Sequence, residues 1–191
     1  MKAICVYCGS SPGIDPRHRE DAAQLGRLLA EKSLTLVYGG GRLGLMGRIA
    51  DAALQAGGKV LGVIPESLRQ KELAHLGLSE IQVVQSMHER KAVMAERSDA
   101  FLALPGGFGT LDEMMEIITW TQLGFQQKPI GFLNRGGFYD PLFHFIRQAE
   151  KEGFIHPRMV AALRLESSPE TLLDRILAAS TSEPSPDWPR K

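Results

Sequence analysis

The stretch LALPGGFGTLDE, residues 102–113, passes from a strand pattern through a glycine-rich loop into a helix pattern, and this succession indicates the architecture of the chain. An apolar run of strand length leads into a proline and three glycines within four positions, and Thr110 then stands where a helix can begin. Backbone N–H groups at the start of a helix attract anions, so the stretch predicts a strand, a phosphate-binding loop and a helix in succession. It ends in acids, and a carboxylate in the first turns of that helix would compete with a bound phosphate.

Apolar runs alternate with helical patterns along most of the chain. Strands are predicted at residues 2–7, 34–38, 59–65, 81–84, 100–104 and 129–134, and helices at 16–32, 43–55, 87–98, 110–124, 139–153 and 169–180. Strands this uniformly apolar suit a sheet that is covered on both faces. The sequence therefore predicts an α/β fold, with a doubly wound, mostly parallel sheet sandwiched by helices (Rossmann-like), in a single domain over residues 1–180. The proline-rich tail, residues 181–191, is expected to be disordered.

Composition argues against several kinds of partner. Lysine plus arginine number 22, and so do aspartate plus glutamate. Because the chain has no excess of basic residues, we do not expect a nucleic acid polymer as a partner. No apolar run approaches the roughly 20 residues of a membrane span, and the N-terminus resembles a strand more than a signal sequence, so we expect no membrane association and a cytoplasmic location. Cys5 and Cys8 fall in or at the end of an apolar run, which favours buried structural thiols. The five histidines lack metal-ligand spacing, and we expect neither a metal nor a cofactor.

Glycine-rich and polar loops follow the first, second, third and fifth predicted strands, and such loops meet at the ligand-binding edge of this fold. Their sequences are CGSSPG, YGGGRLGLMG, IPES and LPGGFGT. Gly39, Gly41 and Gly44 form a G-x-G-x-x-G pattern, with Glu66 placed as the ribose partner of a dinucleotide. The same glycines also suit a tight strand-to-helix turn, and a single domain leaves little room for a separate substrate domain.

The second glycine loop favours a mononucleotide. Gly106, Gly107 and Gly109 let the backbone approach an anion closely, and Thr110 can add its hydroxyl group. Glu113 then has two interpretations. In a capping box its carboxylate would reach back to the N–H of Thr110. Alternatively it faces the sugar of the nucleotide, where it would stabilise a cationic transition state or activate water.

Positive charge that could balance these acids lies in MHERKAVMAERSD, residues 87–99. Arg90 and Lys91 occupy the first turns of a short predicted helix. They either form a solvated helix face or, in the case of Arg90, offset the acids and bind the phosphate or the leaving base.

The segment PGGFGTLDE matches the P-G-G-x-G-T-x-x-E signature of the LONELY GUY family of cytokinin-activating phosphoribohydrolases at every fixed position. CGSS, GGGRLGLMG, MHERK and ITWTQLG also resemble that family, in the same order, over residues 3–155. The resemblance implies a nucleotide N-glycosidase that releases free base from a cytokinin ribotide or from AMP. It also implies a homodimer with the active site near the subunit interface.

Site residues are carried over from this resemblance position by position. The family's catalytic arginine and glutamate correspond to Arg90 and Glu113. Binding of substrate is implied for Glu72, Lys91, Gly106, Gly107, Phe108, Gly109, Thr110 and Thr119, and Glu116 shares the helix face of Glu113. Loop position adds Ser10, Gly40 and Gly41 as further binding candidates.

The helix after the second glycine loop carries an apolar arc that is too wide for one contact surface. The arc comprises Leu111, Met114, Met115, Ile117, Ile118, Trp120 and Leu123. We expect it to contact both the sheet and a partner subunit, the alternative being a helix fully buried within the monomer.

The competing function is a nucleotide sensor or carrier that binds without hydrolysis. Lysine decarboxylation is disfavoured, because neither glycine loop contains a lysine for a pyridoxal cofactor.

Overall fold

The central strand of the sheet shows how both of its faces are covered. In the computed structural model, which describes residues 1–69 and 74–179, strand β1 (Ala3–Tyr7) lies between β2 (Thr35–Tyr38) and β5 (Ala100–Ala103). Alternate residues of β1 point to opposite faces, so that Ile4 and Val6 join one apolar cluster and Cys5 and Tyr7 join the other. The two clusters pack against helices on opposite sides of the sheet.

The described strands and α-helices alternate along the chain, except that two helices stand between the last two strands. They are β1 (Ala3–Tyr7), α1 (Arg17–Glu31), β2 (Thr35–Tyr38), α2 (Gly44–Gln55), β3 (Val60–Pro65), α3 (Glu66–Arg69), β4 (Glu80–Val84), α4 (Met87–Glu96), β5 (Ala100–Ala103), α5 (Phe108–Gln122), β6 (Ile130–Leu133), α6 (Asp140–Lys151), α7 (Pro157–Ala162), β7 (Leu163–Glu166) and α8 (Pro169–Ala179). The strand order is β4-β3-β2-β1-β5-β6-β7, and each neighbouring pair is parallel.

This topology confirms the predicted doubly wound α/β fold. Chain order runs outward from β1 to β4 and then returns to β5 on the other side of β1, so the switch point lies between β1 and β5. The predicted elements missed the edge strand β7, whose sequence LRLE is half-buried and lacks a continuous apolar run. They also missed the short helices α3 and α7. The predicted tail at residues 181–191 lies outside the described residues.

Helix α5 begins earlier than predicted. Gly107 occupies the N-cap position without any side-chain cap, and Thr110 is the third residue of the helix. The capping-box interpretation of Glu113 is therefore wrong, since Thr110 is not an N-cap. Gly106 makes the early start possible, because a Cβ atom there would lie only 2.6 Å from Cβ of Thr110.

The apolar arc of α5 is only partly covered within the chain. Met114 and Ile117 are buried, whereas Leu123 is 50% exposed. Leu111, Ile118 and Trp120 are partly buried against the same core, and Met115 is half-buried. The alternative of a helix wholly buried in the monomer is therefore wrong.

Both cysteines are free and buried in the centre of the molecule. Burial raises the pKa of the Cys5 thiol to about 12 and that of Cys8 further still. This confirms the prediction of buried structural thiols. Across residues 1–69 and 74–179, no helix combines the length and the hydropathy needed to cross a membrane.

Candidate active site

Three loops are fastened together at the carboxyl edge of the sheet. The N–H of Gly9, after β1, donates to the carbonyl of Pro105, after β5, at 3.1 Å, and the N–H of Leu45 at the start of α2 donates to the carbonyl of Gly9 at 3.0 Å. Gly44 has a φ of 62°, and a Cβ atom there would lie 2.6 Å from the backbone N of Ser11. Glycine is thus required at position 44 for both conformation and space.

A cleft of about 490 Å³ opens at the switch point between β1 and β5. Its walls are residues 9–15, His18, Leu45, residues 105–107 and Phe138. The predicted binding residues Ser10, Gly106 and Gly107 therefore share one cavity, in the place where ligands of doubly wound folds bind.

The start of α5 forms an open edge beside this cleft. Gly107, Phe108 and Gly109 are exposed, and beyond the adjoining residues and the helix backbone no atom lies within 4 Å of a Cβ placed on Gly107 or Gly109. The first N–H groups of a helix have no partners within the helix, so they are available to a ligand. An anion can approach the backbone here because no side chain stands in its way.

One turn beyond this edge, Glu113 pairs with Arg90. Nη1 of Arg90 donates to Oε1 of Glu113 at 2.6 Å, and Nε donates to the carbonyl of Val63 in β3 at 3.1 Å. Each of the two charged residues is only 8% exposed. Arg90 thus offsets one of the acids and is not part of a solvated helix face, while its binding of the phosphate or the leaving base stays a prediction.

Helix α4 has a defined start that orients Arg90. Ser86 is its N-cap, and the Ser86 hydroxyl oxygen accepts from the N–H of Glu89 at 3.1 Å. The Glu89 carboxylate accepts from the N–H of Gln85 at 2.7 Å. These two hydrogen bonds fix the first turn of α4. Arg90, the residue after Glu89, is directed inward.

Burial raises the pKa of the Glu113 carboxyl above its ordinary value, although the positive charge of Arg90 beside it acts in the opposite direction. The net effect is a carboxylate that takes up a proton more readily than an exposed glutamate. A carboxyl group whose pKa is raised in this way is suited to proton transfer.

Lys91 forms a second charged cluster on the same two helices. Its Nζ lies 2.9 Å from Oδ2 of Asp112 and 3.4 Å from Oε2 of Glu116. Burial lowers the pKa of Lys91, but the two carboxylates outweigh burial and the net pKa is raised. Lys91 therefore stays protonated, and the predicted residues Lys91 and Glu116 are brought together.

Other predicted site residues are placed differently. Gly40 and Gly41 are buried against the segment before β4, where the N–H of His75 donates to the carbonyl of Gly40 at 2.9 Å. Thr119 is exposed and its hydroxyl donates to the carbonyl of Met115 at 2.7 Å. Glu72 lies outside the described residues.

The G-x-G-x-x-G pattern is occupied by protein atoms. A Cβ on Gly39 would overlap Nη2 of Arg90, and Gly44 packs against the backbone of Ser11. Glu66, the predicted ribose partner, lies 3.3 Å from Arg69. These positions make room for the chain itself and not for a pyrophosphate, so the dinucleotide interpretation has no support.

Sequence reasoning missed the backbone and loop groups that complete the site. The carbonyl of Val63 is invisible to motif analysis, because every residue type carries the same backbone oxygen. Arg135 makes two hydrogen bonds, of 2.9 and 2.5 Å, to buried Asp21, and these fix the loop that carries Phe138. The available signal in the sequence was an acid, Asp21, placed one helical turn before Leu25 on the apolar side of the predicted helix. Among the described residues, no cluster of three or more histidine, cysteine or acidic side chains could hold a metal ion.

Comparison with solved structures bears on the fold. The molybdenum cofactor binding protein from the bacterium Rippkaea orientalis superposes with a TM-score of 0.72 at 23% identity, over 95% of this chain and 99% of that one. The molybdenum cofactor carrier protein of Chlamydomonas reinhardtii gives 0.71 at 19% identity, over 93% and 98%. Identities this low show a common fold and nothing about the ligand.

Sequence comparison identifies the family. A family model described as possible lysine decarboxylase matches residues 46–176. Cytokinin riboside 5′-monophosphate phosphoribohydrolase LOG7 of Arabidopsis thaliana is 52% identical over 157 residues, covering 82% of this chain and 72% of that protein. The probable phosphoribohydrolase LOGL2 of Oryza sativa subsp. japonica is 45% identical over 176 residues, covering 92% and 72%. With this identity over most of its length, the chain belongs to the LONELY GUY family of cytokinin riboside 5′-monophosphate phosphoribohydrolases.

Proposed function

We propose that this protein hydrolyses the bond between base and ribose in a nucleoside 5′-monophosphate, releasing free base and ribose 5-phosphate. The observation that carries the proposal is the buried Arg90–Glu113 pair, one helical turn beyond an uncapped and open helix start. The named activity of relatives about 50% identical to this chain supports the same conclusion.

In this proposal the phosphate binds to the backbone of Gly107 and Gly109, and the ribose extends toward Glu113. Positive charge develops at C1′ as the glycosidic bond breaks, and the carboxylate stabilises that charge and orients water. The electron pair of the broken bond leaves with the base, which takes up a proton. The oxygen of water bonds to C1′ and gives up a proton, so the products are neutral base and ribose 5-phosphate.

This arrangement explains why a phosphate-binding loop also carries acids. The substrate has a permanent anion at its 5′ end and acquires a transient cation one sugar away. An anion site and a carboxylate are then both needed, about one helical turn apart. Arg90 keeps the carboxylate in place, since its Nη1 and Nε groups are engaged by Glu113 and Val63.

The competing function is a carrier or sensor that binds a nucleotide without hydrolysis, as the names of the structural neighbours suggest for those proteins. A buried carboxylate close to the phosphate would weaken such binding, so the Glu113 pair favours hydrolysis. Adenine and N6-prenylated adenine are the two bases to compare, because relatives are named for cytokinin ribotides and AMP carries the same purine ring.

Product analysis tests the proposal directly. Purified protein is incubated with AMP, with N6-isopentenyladenosine 5′-monophosphate and with adenosine, and free base and ribose 5-phosphate are measured by chromatography. We expect both monophosphates to be cleaved, and adenosine to be cleaved with a kcat/KM at least about 100-fold lower, because binding of the phosphate is used to position the sugar. Parallel reactions with EDTA test the expectation that no metal is needed.

Each alternative outcome has a distinct meaning. Tight binding of AMP without release of base would support the carrier function. Comparable kcat/KM values for AMP and adenosine would show that the glycine loop does not bind the phosphate.

We also propose that the protein is a homodimer, with the site near the interface. Support comes from the end of α5 and the turn that follows it, where Leu123 and Phe125 are 50% and 75% exposed. Apolar side chains grouped at one end of a half-covered helix are typical of subunit contacts. Light scattering should give twice the chain mass, and L123K/F125K should give the monomer. L76K is the control, because it changes an exposed leucine in the segment before β4.

A further inference from the structure

Gly39, the first residue after β2, lies against the guanidinium group of Arg90. A Cβ atom on Gly39 would overlap Nη2 of Arg90 and lie 3.2 Å from Cζ. The next nearest atom is Sδ of Met46, at 3.4 Å. The space left by the absent side chain is therefore filled mainly by arginine.

The backbone of Gly39 does not itself require glycine. Its φ is not positive, in contrast to Gly40 with a φ of 72° and Gly44 with a φ of 62°. Alanine could adopt the same conformation at position 39 without strain. Space, and not conformation, is what glycine provides there.

The guanidinium of Arg90 is enclosed on three sides. Glu113 accepts from Nη1, the carbonyl of Val63 accepts from Nε, and Gly39 faces Nη2. A planar guanidinium can keep two directed hydrogen bonds only if nothing pushes its third nitrogen out of position.

We propose that Gly39 is a positioning residue, which seats Arg90 so that its guanidinium holds the Glu113 carboxylate in the reactive orientation. This inference rests on the proposed N-glycosidase function for its kinetic consequence. In this inference, the first glycine of the G-x-G-x-x-G pattern makes room for the Arg90 side chain and not for a bound nucleotide.

Alanine at position 39 should displace Arg90 without unfolding the protein. The overlapping atom is the far end of a flexible side chain, so the fold can accommodate the methyl group while the Nη1 and Nε hydrogen bonds are lost or lengthened. Displacement of a catalytic group by about 1 Å can cost about 100-fold in rate. We expect G39A to lower kcat for AMP by about tenfold or more while KM changes by less than about threefold, because the phosphate site is untouched.

The pKa of Glu113 supplies a readout that a purely structural role would not change. Arg90 lowers this pKa in the native protein, against the larger effect of burial. In G39A the displaced guanidinium lowers it less, so the pKa should rise further. A titration of the Glu113 carboxyl carbon by ¹³C NMR measures this shift in wild type and in G39A, with no dependence on turnover.

A double-mutant cycle with Arg90 completes the test. Because Gly39 acts through Arg90, G39A should have little further effect on kcat when it is added to R90A. The same double variant covers the case in which G39A alone fails to fold, since the overlapping nitrogen is then absent and G39A/R90A should melt close to R90A. G77A, in the loop before β4, controls for a glycine-to-alanine change away from the site.

Two results would overturn the inference. One is an unchanged Glu113 pKa in a folded G39A protein. The other is an equal loss of kcat on adding G39A to wild type and to R90A. If wild type releases no base from AMP, the N-glycosidase function fails, yet the NMR shift and the melting temperatures still decide whether Gly39 seats Arg90.

Discussion

The two glycine-rich loops of this protein look alike in sequence and differ in what surrounds them. In the first loop, Gly39 faces Arg90 and Gly44 packs against Ser11, so the space beside each glycine is taken by the chain. In the second loop, a Cβ on Gly107 or Gly109 would meet no atom within 4 Å beyond the adjoining residues and the helix backbone. Glycine thus serves internal packing in the first loop and leaves an open surface in the second.

The two loops therefore have different roles in the site. The first loop fixes the buried pair and holds the start of α2 against the loop after β1, whereas the second offers free N–H groups at the start of α5. Changes in the first loop should therefore affect stability or the orientation of catalytic groups. Changes in the second should affect nucleotide binding.

The largest effect is expected for Glu113. Its partner Arg90 lies against Gly39 of the first loop, and its helix α5 begins at the second loop. E113Q should lower kcat for AMP by at least about 100-fold, because the carboxylate is lost at the place where positive charge develops. The unfolding free energy should stay within about 1 kcal/mol of wild type, since the burial that raises the Glu113 pKa already offsets the attraction of Arg90, and glutamine keeps a hydrogen-bond acceptor for the guanidinium. Steady-state kinetics and urea denaturation measure the two. E96Q, at the exposed end of α4, is the control, and near-normal turnover by folded E113Q would point to Glu116 instead.

Next is the pH dependence that follows from the raised pKa of Glu113. As the pH falls through this pKa the carboxylate is protonated, so kcat/KM should drop about tenfold per pH unit, with a midpoint above that of an exposed glutamate. For stability the sign is opposite. A raised carboxyl pKa contributes stability below the ordinary glutamate value and loses it as the pH rises through the shifted one. Urea denaturation of wild type and E113Q across pH should show that difference, and identical profiles would contradict it.

Gly44 tests the packing role of the first loop. G44A places a methyl group 2.6 Å from the backbone N of Ser11 at a φ of 62°, and backbone atoms cannot move aside as an arginine can. We expect the unfolding free energy to fall by about 2–4 kcal/mol. G107A should stay within about 0.5 kcal/mol of wild type by the same assay. Equal stability of the two variants would remove the distinction between the loops.

The smallest expected effect is at Gly109, in the open loop. G109A should raise KM for AMP by about tenfold, because a methyl group then stands where the phosphate meets the backbone. Its melting temperature should be unchanged or slightly higher, since alanine favours the helix over glycine. Kinetics and calorimetry give both values. An unchanged KM would mean that the phosphate binds elsewhere in the cleft.

Much of the fold and the main charged residues could be predicted from the sequence, for physical reasons. Buried parallel strands are continuous apolar runs, so β1, β3 and β5 were recognised, whereas the half-buried edge strand β7 was not. Arg90 and Glu113 were recognised as complementary charges, because their motifs follow strands that end at one edge of the sheet.

Other features could not be read from residue types. Where α5 starts depends on how Gly106 accommodates the Thr110 side chain, which a capping pattern does not reveal. The acceptor for Nε of Arg90 is a backbone carbonyl, and the neighbour of Gly39 comes from a helix about fifty residues later in the chain. Contacts of this kind depend on the packing of distant elements and become visible only in three dimensions.

Cys5 in the central strand and Cys8 directly after that strand can report how often the folded protein opens. Cys5 and Cys8 are 0% and 7% exposed, and their thiols resist ionisation in the folded state, so a thiol-specific reagent reacts with them appreciably only when β1 and the residue after it become exposed. The labelling rate under native conditions therefore measures how often the centre of the sheet opens. Variants of either glycine loop can be ranked in this way without denaturant, and in crude extracts as well as in pure samples.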